Sequence, residues 1–122
     1  MKIVSLQKPL NLRKKIEGFI SISIFYIRGE HISDSLKLAG FSNLEKLDCS
    51  CNYLTELDLS DCPNLKELKC DNNSLSALDL RKNPKIIELN CSDNSNLTTL
   101  NIKQCKNLKI LNCWGNSSLD KL

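Results

Sequence analysis

The sequence predicts an α/β-type solenoid, mostly parallel β-structure with turns and little helix, built from about four to five stacked rungs and open at its C-terminal end. Three observations predict this fold. A leucine motif recurs at a nearly constant interval, asparagine and cysteine recur at fixed places inside it, and aromatic residues make up only 5% of the 122 residues. Repeated layers of small aliphatic side chains suit a stacked core better than a core built on large rings.

The first repeated unit is a strand motif of the form LxxLxCxxN. Within the first copy, strand alternation places Leu47 and Cys49 inward and Asp48 outward. Each copy therefore supplies one short strand, and stacked copies form a parallel sheet. The copies begin 21, 21 and 22 residues apart, at Leu44, Leu65, Ile86 and Leu108.

A second unit, LxxLxL, lies between successive copies of the first and begins at Leu54, Leu75 and Leu97. Each period is thus two half-turns of one coil. The third copy carries one extra residue within 93–96, which a surface turn can absorb.

The N-terminal part departs from the pattern. Residues 22–43 fit a degenerate first rung, with one residue inserted in its second unit. Residues 1–21 are basic and contain an amphipathic stretch, so they predict a cap with a short helix over the apolar end of the stack. The predicted division is a cap at 1–21 and a solenoid at 22–122, whose rungs are 22–43, 44–64, 65–85, 86–107 and the partial rung 108–122.

The recurring asparagines are predicted to be structural. A turn beneath the sheet buries backbone donors and acceptors, and an asparagine amide offers both kinds of hydrogen-bonding group to its own rung and to the neighbouring rung. The residues concerned are Asn52, Asn73, Asn94 and Asn116.

The pattern LxxLx(L/C)xxNxL resembles that of the leucine-rich-repeat family over about 100 of the 122 residues. Cysteine in place of the inward leucine, at Cys49, Cys70, Cys91 and Cys113, is similar to the cysteine ladder of internalin J-type repeats. The segments 54–60 and 62–65 also resemble repeats of microbial and fungal intracellular proteins. The resemblance implies a leucine-rich-repeat solenoid that binds proteins, although adhesins, receptors, ligase adaptors and kinase regulators share the fold. We expect neither the secretion signal and cap domain of internalins nor a C-terminal cap.

The seven cysteines predict a reducing, cytoplasmic location, because their number is odd and no secretory signal accompanies them. The four motif thiols should be buried and inert. Cys62 and Cys105 occupy the same turn position two rungs apart, roughly 10 Å, which is too far for a disulfide. With no paired C-x-x-C and a single histidine, His31, we expect no metal site and no cofactor.

Other function classes are disfavoured. The chain has no nucleophile and base at a recognisable spacing, no phosphate-binding glycine loop and no HExxH motif, so we expect no enzymatic activity. The apolar segment 19–27 is far shorter than the ~20 residues of a spanning helix and indicates a buried first strand, so we expect no membrane partner. Residues 1–31 carry a net charge of +4 and the rest −1. The outward charges are mixed along the sheet, which argues against nucleic acid.

A partner would contact the outward residues of the sheet, which form three predicted columns. These are Ile24, Lys46, Glu67, Glu88 and Ile110; Tyr26, Asp48, Lys69, Asn90 and Asn112; and Arg28, Ser50, Asp71, Ser92 and Trp114. Exposed tyrosine, tryptophan and arginine most often contribute binding energy, but here they can equally pack at the ends of the stack. The predicted contact residues are Tyr26, Arg28, Asp48, Lys69, Asp71 and Trp114.

Size limits this prediction. Five strands give a face of roughly 400 Å², about half of the ~800 Å² that each partner of a stable interface buries. Self-association through the last rung is therefore an alternative, and with it a structural role only, as a truncated repeat fragment. That rung presents an apolar layer and an open sheet edge, formed by Leu108, Leu111, Cys113 and Leu119.

Overall fold

The computed structural model describes residues 3–5, 15–16 and 21–119, and within them it contains eleven β-strands and no helix. The strands are β1 (Ile3–Ser5), β2 (Lys15–Ile16), β3 (Ile24–Tyr26), β4 (Ser33–Leu38), β5 (Lys46–Asp48), β6 (Tyr53–Asp58), β7 (Glu67–Lys69), β8 (Ala77–Asp79), β9 (Glu88–Asn90), β10 (Thr99–Asn101) and β11 (Ile110–Asn112).

Alternate strands form a six-stranded parallel sheet, the front sheet, in the order β1-β3-β5-β7-β9-β11. Its register follows the repeat, since Leu47 pairs with Leu68 and Leu68 pairs with Leu89. The final step, Leu89 to Leu111, spans 22 residues without loss of register. The predicted fold, a parallel solenoid of stacked leucine-rich rungs, is confirmed.

The remaining strands lie on the other half of each turn, the back side. They form a three-stranded sheet, β2-β4-β6, and a two-stranded sheet, β10-β8. The register between β4 and β6 shifts between Asp34 and Ser35. Asp34 pairs with Leu54 and Ser35 pairs with Glu56, so Thr55 of β6 has no partner in β4.

The core between the two sides consists mainly of leucine, isoleucine and cysteine side chains. Leu68, Leu89 and Cys70 have no measurable exposure to solvent. Among the described residues, large rings occur in this core only at its N-terminal end, where Phe25 and Phe41 stack with ring centroids 5.2 Å apart. The core is thus a stack of small aliphatic layers, as the composition predicts.

A turn joins the front sheet to the back side in each rung, and a buried asparagine fills it in the four rungs from residue 44 onward, whereas the first rung has Glu30 at this position. We name these residues the first turn column: Asn52, Asn73, Asn94 and Asn116. The Asn94 Nδ2 donates to Cys91 O at 3.0 Å in its own rung and to Cys70 O at 3.1 Å in the preceding rung. Its Oδ1 accepts the N–H of Leu75 at 3.1 Å. The predicted role in satisfying backbone groups of two rungs is therefore observed.

The opposite turn returns the chain to the front sheet, and its buried side chains vary. They form the second turn column: Phe41, Cys62, Asn83 and Cys105. The Asn83 Nδ2 donates to Leu59 O at 3.0 Å and to Cys62 O at 2.9 Å, yet its buried Oδ1 has no partner. Asn83 was not among the predicted structural asparagines, although it lies one 21-residue interval after Cys62.

A third column follows the front strands and turns the chain under the sheet. Its residues have positive φ angles: Gly29, Cys51, Asn72, Asp93 and Gly115. Glycine and asparagine adopt this conformation most easily. At Gly115 a side chain would also collide, since a β-carbon there would lie 2.2 Å from Asp93 Oδ1.

Most of the segment predicted as a cap, 1–21, lies outside the described residues, and so does the end of the partial rung, 120–122. The two described segments of the cap are strands β1 and β2, which pair in parallel with β3 and β4. The short helix predicted for this segment lies outside the described residues.

Candidate functional site: the outward face of the front sheet

The outward face of the front sheet carries the first two predicted columns in register. Tyr26 pairs with Asp48, and Asp48 pairs with Lys69, so their side chains succeed one another at the sheet spacing of ~4.8 Å. One end of the first column differs from expectation. Ile24 is only 6% exposed, so the prediction that it lies on the accessible outward face is wrong.

The first column carries charges of both signs, because Lys46 is followed by Glu67 and Glu88. The Lys46 ammonium lies 3.6 Å from the Glu67 carboxylate, with both side chains more than a third exposed. An exposed pair of this kind contributes little to stability because water and salt screen it. Both groups can exchange this contact for one with a partner at low cost.

The two columns surround a shallow depression of about 270 Å³. Tyr26, Asp48 and Lys69, all predicted contact residues, line it together with Lys46 and Glu67. Tyr26 is 41% exposed, so its ring offers apolar surface beside groups of both charges. The depression can receive a polar side chain or backbone segment, with an aromatic wall on one side.

Asp48 is more constrained than a solvated surface charge. Its Oδ1 accepts the N–H of Ser50 at 3.0 Å and also the Ser50 hydroxyl. Arg28 Nη1 in turn donates to Ser50 Oγ at 2.9 Å. Arg28 is thus held beside the depression through Ser50, and one oxygen of Asp48 already has a structural role.

The turn formed by Asp48 recurs in later rungs. Asn90 Oδ1 accepts the N–H of Ser92 at 3.1 Å, and Asn112 Oδ1 accepts that of Trp114 at 3.2 Å. Asp or Asn two residues before the accepted N–H is the signature of an Asx turn. The recurrence of Asp or Asn at positions 48, 90 and 112 is the sequence signal for these turns.

The third predicted column does not lie on the outward face throughout. Asp71, a predicted contact residue, is only 8% exposed, and Ser50 and Ser92 are similarly buried. The prediction assumed that strand alternation continues to Ser50, Asp71 and Ser92, which lie beyond the last residue of their strands. The front strands end at Asp48, Lys69, Asn90 and Asn112, after which the Asx turns and positive-φ residues direct the chain inward.

Trp114 lies apart from the other predicted contact residues. It is 74% exposed, and with Ile110 at 55% it forms an apolar area at the last described rung. Three rungs separate it from Ser50, roughly 14 Å at the sheet spacing. The structure therefore brings together Tyr26, Asp48 and Lys69, places Arg28 beside them, and leaves Trp114 distant.

The seven thiols are free, and five of them are buried. Burial raises the pKa of Cys91 and that of Cys62 to about 12, and it raises the pKa of Cys49, Cys70 and Cys105. These groups stay protonated at neutral pH and are poor nucleophiles. Cys51 and Cys113 are half-buried.

Residues 3–5, 15–16 and 21–119 contain no group of three or more His, Cys, Asp or Glu side chains placed to hold a metal ion. These residues also contain no helix that is long and apolar enough to cross a bilayer.

The stacked rungs and the exposed outward face of the front sheet define a repeat solenoid protein. Residues 42–83, about a third of the chain, match the family model described as leucine-rich repeats, in two copies. Over this segment the chain is similar to leucine-rich-repeat proteins.

No curated protein matches the chain. Among solved structures it is similar to an internalin from Listeria monocytogenes, at 20% sequence identity and a TM-score of 0.47. That similarity covers 88% of this chain and 46% of the internalin, so the chain spans less than half of that protein's length.

Proposed function

We propose that the protein is a non-catalytic protein-interaction module that presents the outward face of the front sheet to a protein partner. The depression lined by Tyr26, Lys46, Asp48, Glu67 and Lys69 supports the proposal most directly. It combines an exposed ring with charges of both signs on a regular sheet. Such a surface pre-organises contacts and lowers the entropic cost of binding.

The size of the face argues for weak binding. Six strands at ~4.8 Å, each about 10 Å long, give roughly 300 Å², well below the ~800 Å² per partner of a stable interface. A partner of this face therefore also contacts the turns or flanks, or binds transiently.

The test is affinity capture from cells that contain the protein, with matched surface variants. We expect partners retained by the wild-type chain to be lost with Tyr26→Ala/Lys69→Glu. They should be kept by Tyr53→Ala/Lys82→Glu, which changes an exposed tyrosine and an exposed lysine away from this face. Retention of every partner by both variants would show that the front sheet is not the contact surface.

Self-association is the second candidate function, in which the chain has a structural role. The last described rung favours it, since Leu108, Leu111 and Leu119 are only half-buried while Leu89 is fully buried one rung earlier. We expect light scattering to show a mass that rises with protein concentration, and Leu111→Lys to suppress the rise. A monomer throughout the concentration range contradicts this candidate.

We also propose a cytoplasmic location. It is supported by an odd number of cysteines and by the close packing of five of the thiols in the interior. Cell fractionation of the tagged chain tests it, and recovery in the secreted fraction would refute it.

A further inference from the structure

A second surface lies on the flank of the solenoid, one residue before the front strands begin. The position after the first leucine of each motif holds Glu45, Lys66, Ile87 and Lys109. These residues stack, because the N–H of Lys66 bonds to Glu45 O, that of Ile87 to Lys66 O and that of Lys109 to Ile87 O, each at 2.8 Å. The hydrogen bonds hold the side chains in a column with a spacing near ~4.8 Å.

This column borders a depression of about 470 Å³, the basic depression, lined by Lys66, Lys85, Ile87, Asn107 and Lys109. Ile87 is 37% exposed between the lysines. The surface therefore combines an accessible aliphatic patch with a surrounding positive field.

The positive charge is only partly balanced. The Lys66 ammonium lies 3.0 Å from the Glu45 carboxylate. Lys85 Nζ donates to a neutral group, Asn64 Oδ1, at 2.7 Å. Among the described residues no carboxylate pairs with Lys85 or Lys109, so both ammonium groups remain available to an anionic ligand.

We propose that the basic depression binds an acidic segment of a protein partner. An apolar side chain of the segment packs on Ile87, while carboxylates on either side of it contact Lys85 and Lys109. Charge complementarity selects the acidic segment and accelerates its association. The aliphatic contact also contributes to binding, because it removes the exposed apolar surface of Ile87 from water.

A nucleic acid matches this surface less well. Single strands bind through aromatic side chains that stack on bases, and the basic depression contains none. Lys66 and Lys109 are two rungs apart, roughly 10 Å, which spans only a few phosphates. A sugar–phosphate chain also has no aliphatic group to cover Ile87.

This proposal concerns a different surface from the front-sheet depression. The two surfaces adjoin, because Lys66, Ile87 and Lys109 each precede a front strand by one residue. A partner on the front sheet can therefore extend onto the flank and enlarge a small interface. Each proposed site can nevertheless be disproved without disproving the other.

The experiment measures fluorescence anisotropy of a labelled peptide, Asp-Glu-Leu-Glu-Asp, with the full chain at ~0.15 M ionic strength, where the Debye length is about 8 Å. We expect saturable binding that weakens with added salt and falls at least ~10-fold with Lys85→Glu/Lys109→Glu. Lys82→Glu/Lys103→Glu, which makes the same charge change at exposed lysines outside the depression, should alter the affinity by less than about twofold.

Two further comparisons identify the ligand chemistry. Ile87→Ser should weaken the leucine peptide about threefold and leave the matching serine peptide unchanged, since only the first loses an apolar contact. Tyr26→Ala/Lys69→Glu should leave peptide binding within about twofold, which separates this site from the front-sheet depression.

Three results would overturn the proposal: no saturable binding, an equal loss with Lys82→Glu/Lys103→Glu, or tighter binding of a labelled oligothymidylate than of the peptide. Circular dichroism confirms that each variant is folded. If Lys85→Glu/Lys109→Glu does not fold, Lys85→Gln/Lys109→Gln replaces it. This variant should also weaken peptide binding, and unchanged affinity would contradict the proposal.

Discussion

The two turn columns of the solenoid have the same structural role but contain different side chains. Both bury a chain reversal between the front sheet and the back side. Asparagine fills the first turn column in each rung from Asn52 to Asn116, whereas the second contains phenylalanine, cysteine, asparagine and cysteine. In the first column Asn94 uses both ends of its amide. In the second, Asn83 leaves its Oδ1 without a partner.

The difference shows when a repeat position requires one residue type. The first turn supplies carbonyls to the amide Nδ2 and backbone N–H groups to its Oδ1, so only asparagine completes the pattern. At the second turn the Leu65 N–H bonds directly to Cys62 O, and the Ile86 N–H bonds likewise to Asn83 O. The backbone there closes its own turns, and a weakly polar thiol fills the space.

The largest expected contrast between the columns appears in alkali, because only the second contains ionisable groups. An unfolded thiol ionises near pH ~8.5, whereas burial raises the pKa of Cys62 to about 12. Above pH ~8.5 the unfolded chain releases protons that the folded chain retains, so stability falls by up to about 1.4 kcal/mol per pH unit for each buried thiol. Between pH 8 and 10.5 this predicts a loss of about 2.5 kcal/mol for Cys62 alone. The core thiols Cys49, Cys70 and Cys91, whose pKa burial also raises, increase the total loss to more than about 5 kcal/mol.

Urea denaturation with reductant across that pH range measures the loss. Cys62→Ala is the matched variant, and it should flatten the pH dependence while lowering stability at neutral pH. An unchanged slope in Cys62→Ala would mean that burial does not retain the Cys62 proton.

Removal of an asparagine from the first turn column is the next largest effect. Asn94→Ala leaves the buried Cys70 and Cys91 carbonyls and the Leu75 N–H without their side-chain partner. We expect the free energy of unfolding to fall by about 3 kcal/mol. Asn52→Ala should have a similar effect in another rung, and a cost below about 1 kcal/mol at both sites would contradict the role assigned to this column.

The second turn column should tolerate replacement of its asparagine. Asn83→Cys introduces the residue found one rung away on either side, at Cys62 and Cys105. The change removes two hydrogen bonds and also an unpartnered buried oxygen, so we expect a change within about 1 kcal/mol. Asn94→Cys is the control in the first column. Equal destabilisation of the two cysteine variants in urea denaturation would remove the distinction between the columns.

The smallest effect should come from the outside of the same rungs. Lys46 and Glu67 form an exposed ion pair at 3.6 Å, and Lys46→Ala should change stability by less than about 0.5 kcal/mol. A double-mutant cycle with Glu67→Ala measures the pair alone. A coupling above about 1 kcal/mol would mean that the outward face contributes to the fold as well as to recognition.

Much of the fold is readable from the sequence because the repeat interval and strand alternation determine the register. The spacing of Leu47, Leu68 and Leu89 predicted the pairing of the front strands, and the four asparagines predicted a buried turn. Breaks in the back sheets were not predictable from the leucines, because strand length there depends on local backbone pairing. β6 has six residues, whereas β8 has three with the same leucine spacing.

The candidate site was predicted only in part, for a physical reason. Alternation correctly placed Tyr26, Asp48 and Lys69 on one face, but it cannot indicate where a strand ends. The positive φ of Asn72 turns the chain directly after Asp71 and buries it. The alternation did not predict the basic depression, because its residues come from two positions that flank the first motif residue, as Lys85 and Ile87 flank Ile86. No single column of the front sheet contains both positions.

The amide of Asn94 also has a consequence for how the chain folds. Its hydrogen bonds reach carbonyls in two successive rungs, so a rung formed alone would leave buried polar groups unsatisfied. The smallest productive folding nucleus is therefore a pair of adjacent rungs, which requires closure of a loop of about 21 residues. From that nucleus the structure grows one rung at a time, and each new rung finds a complete template in the one before it.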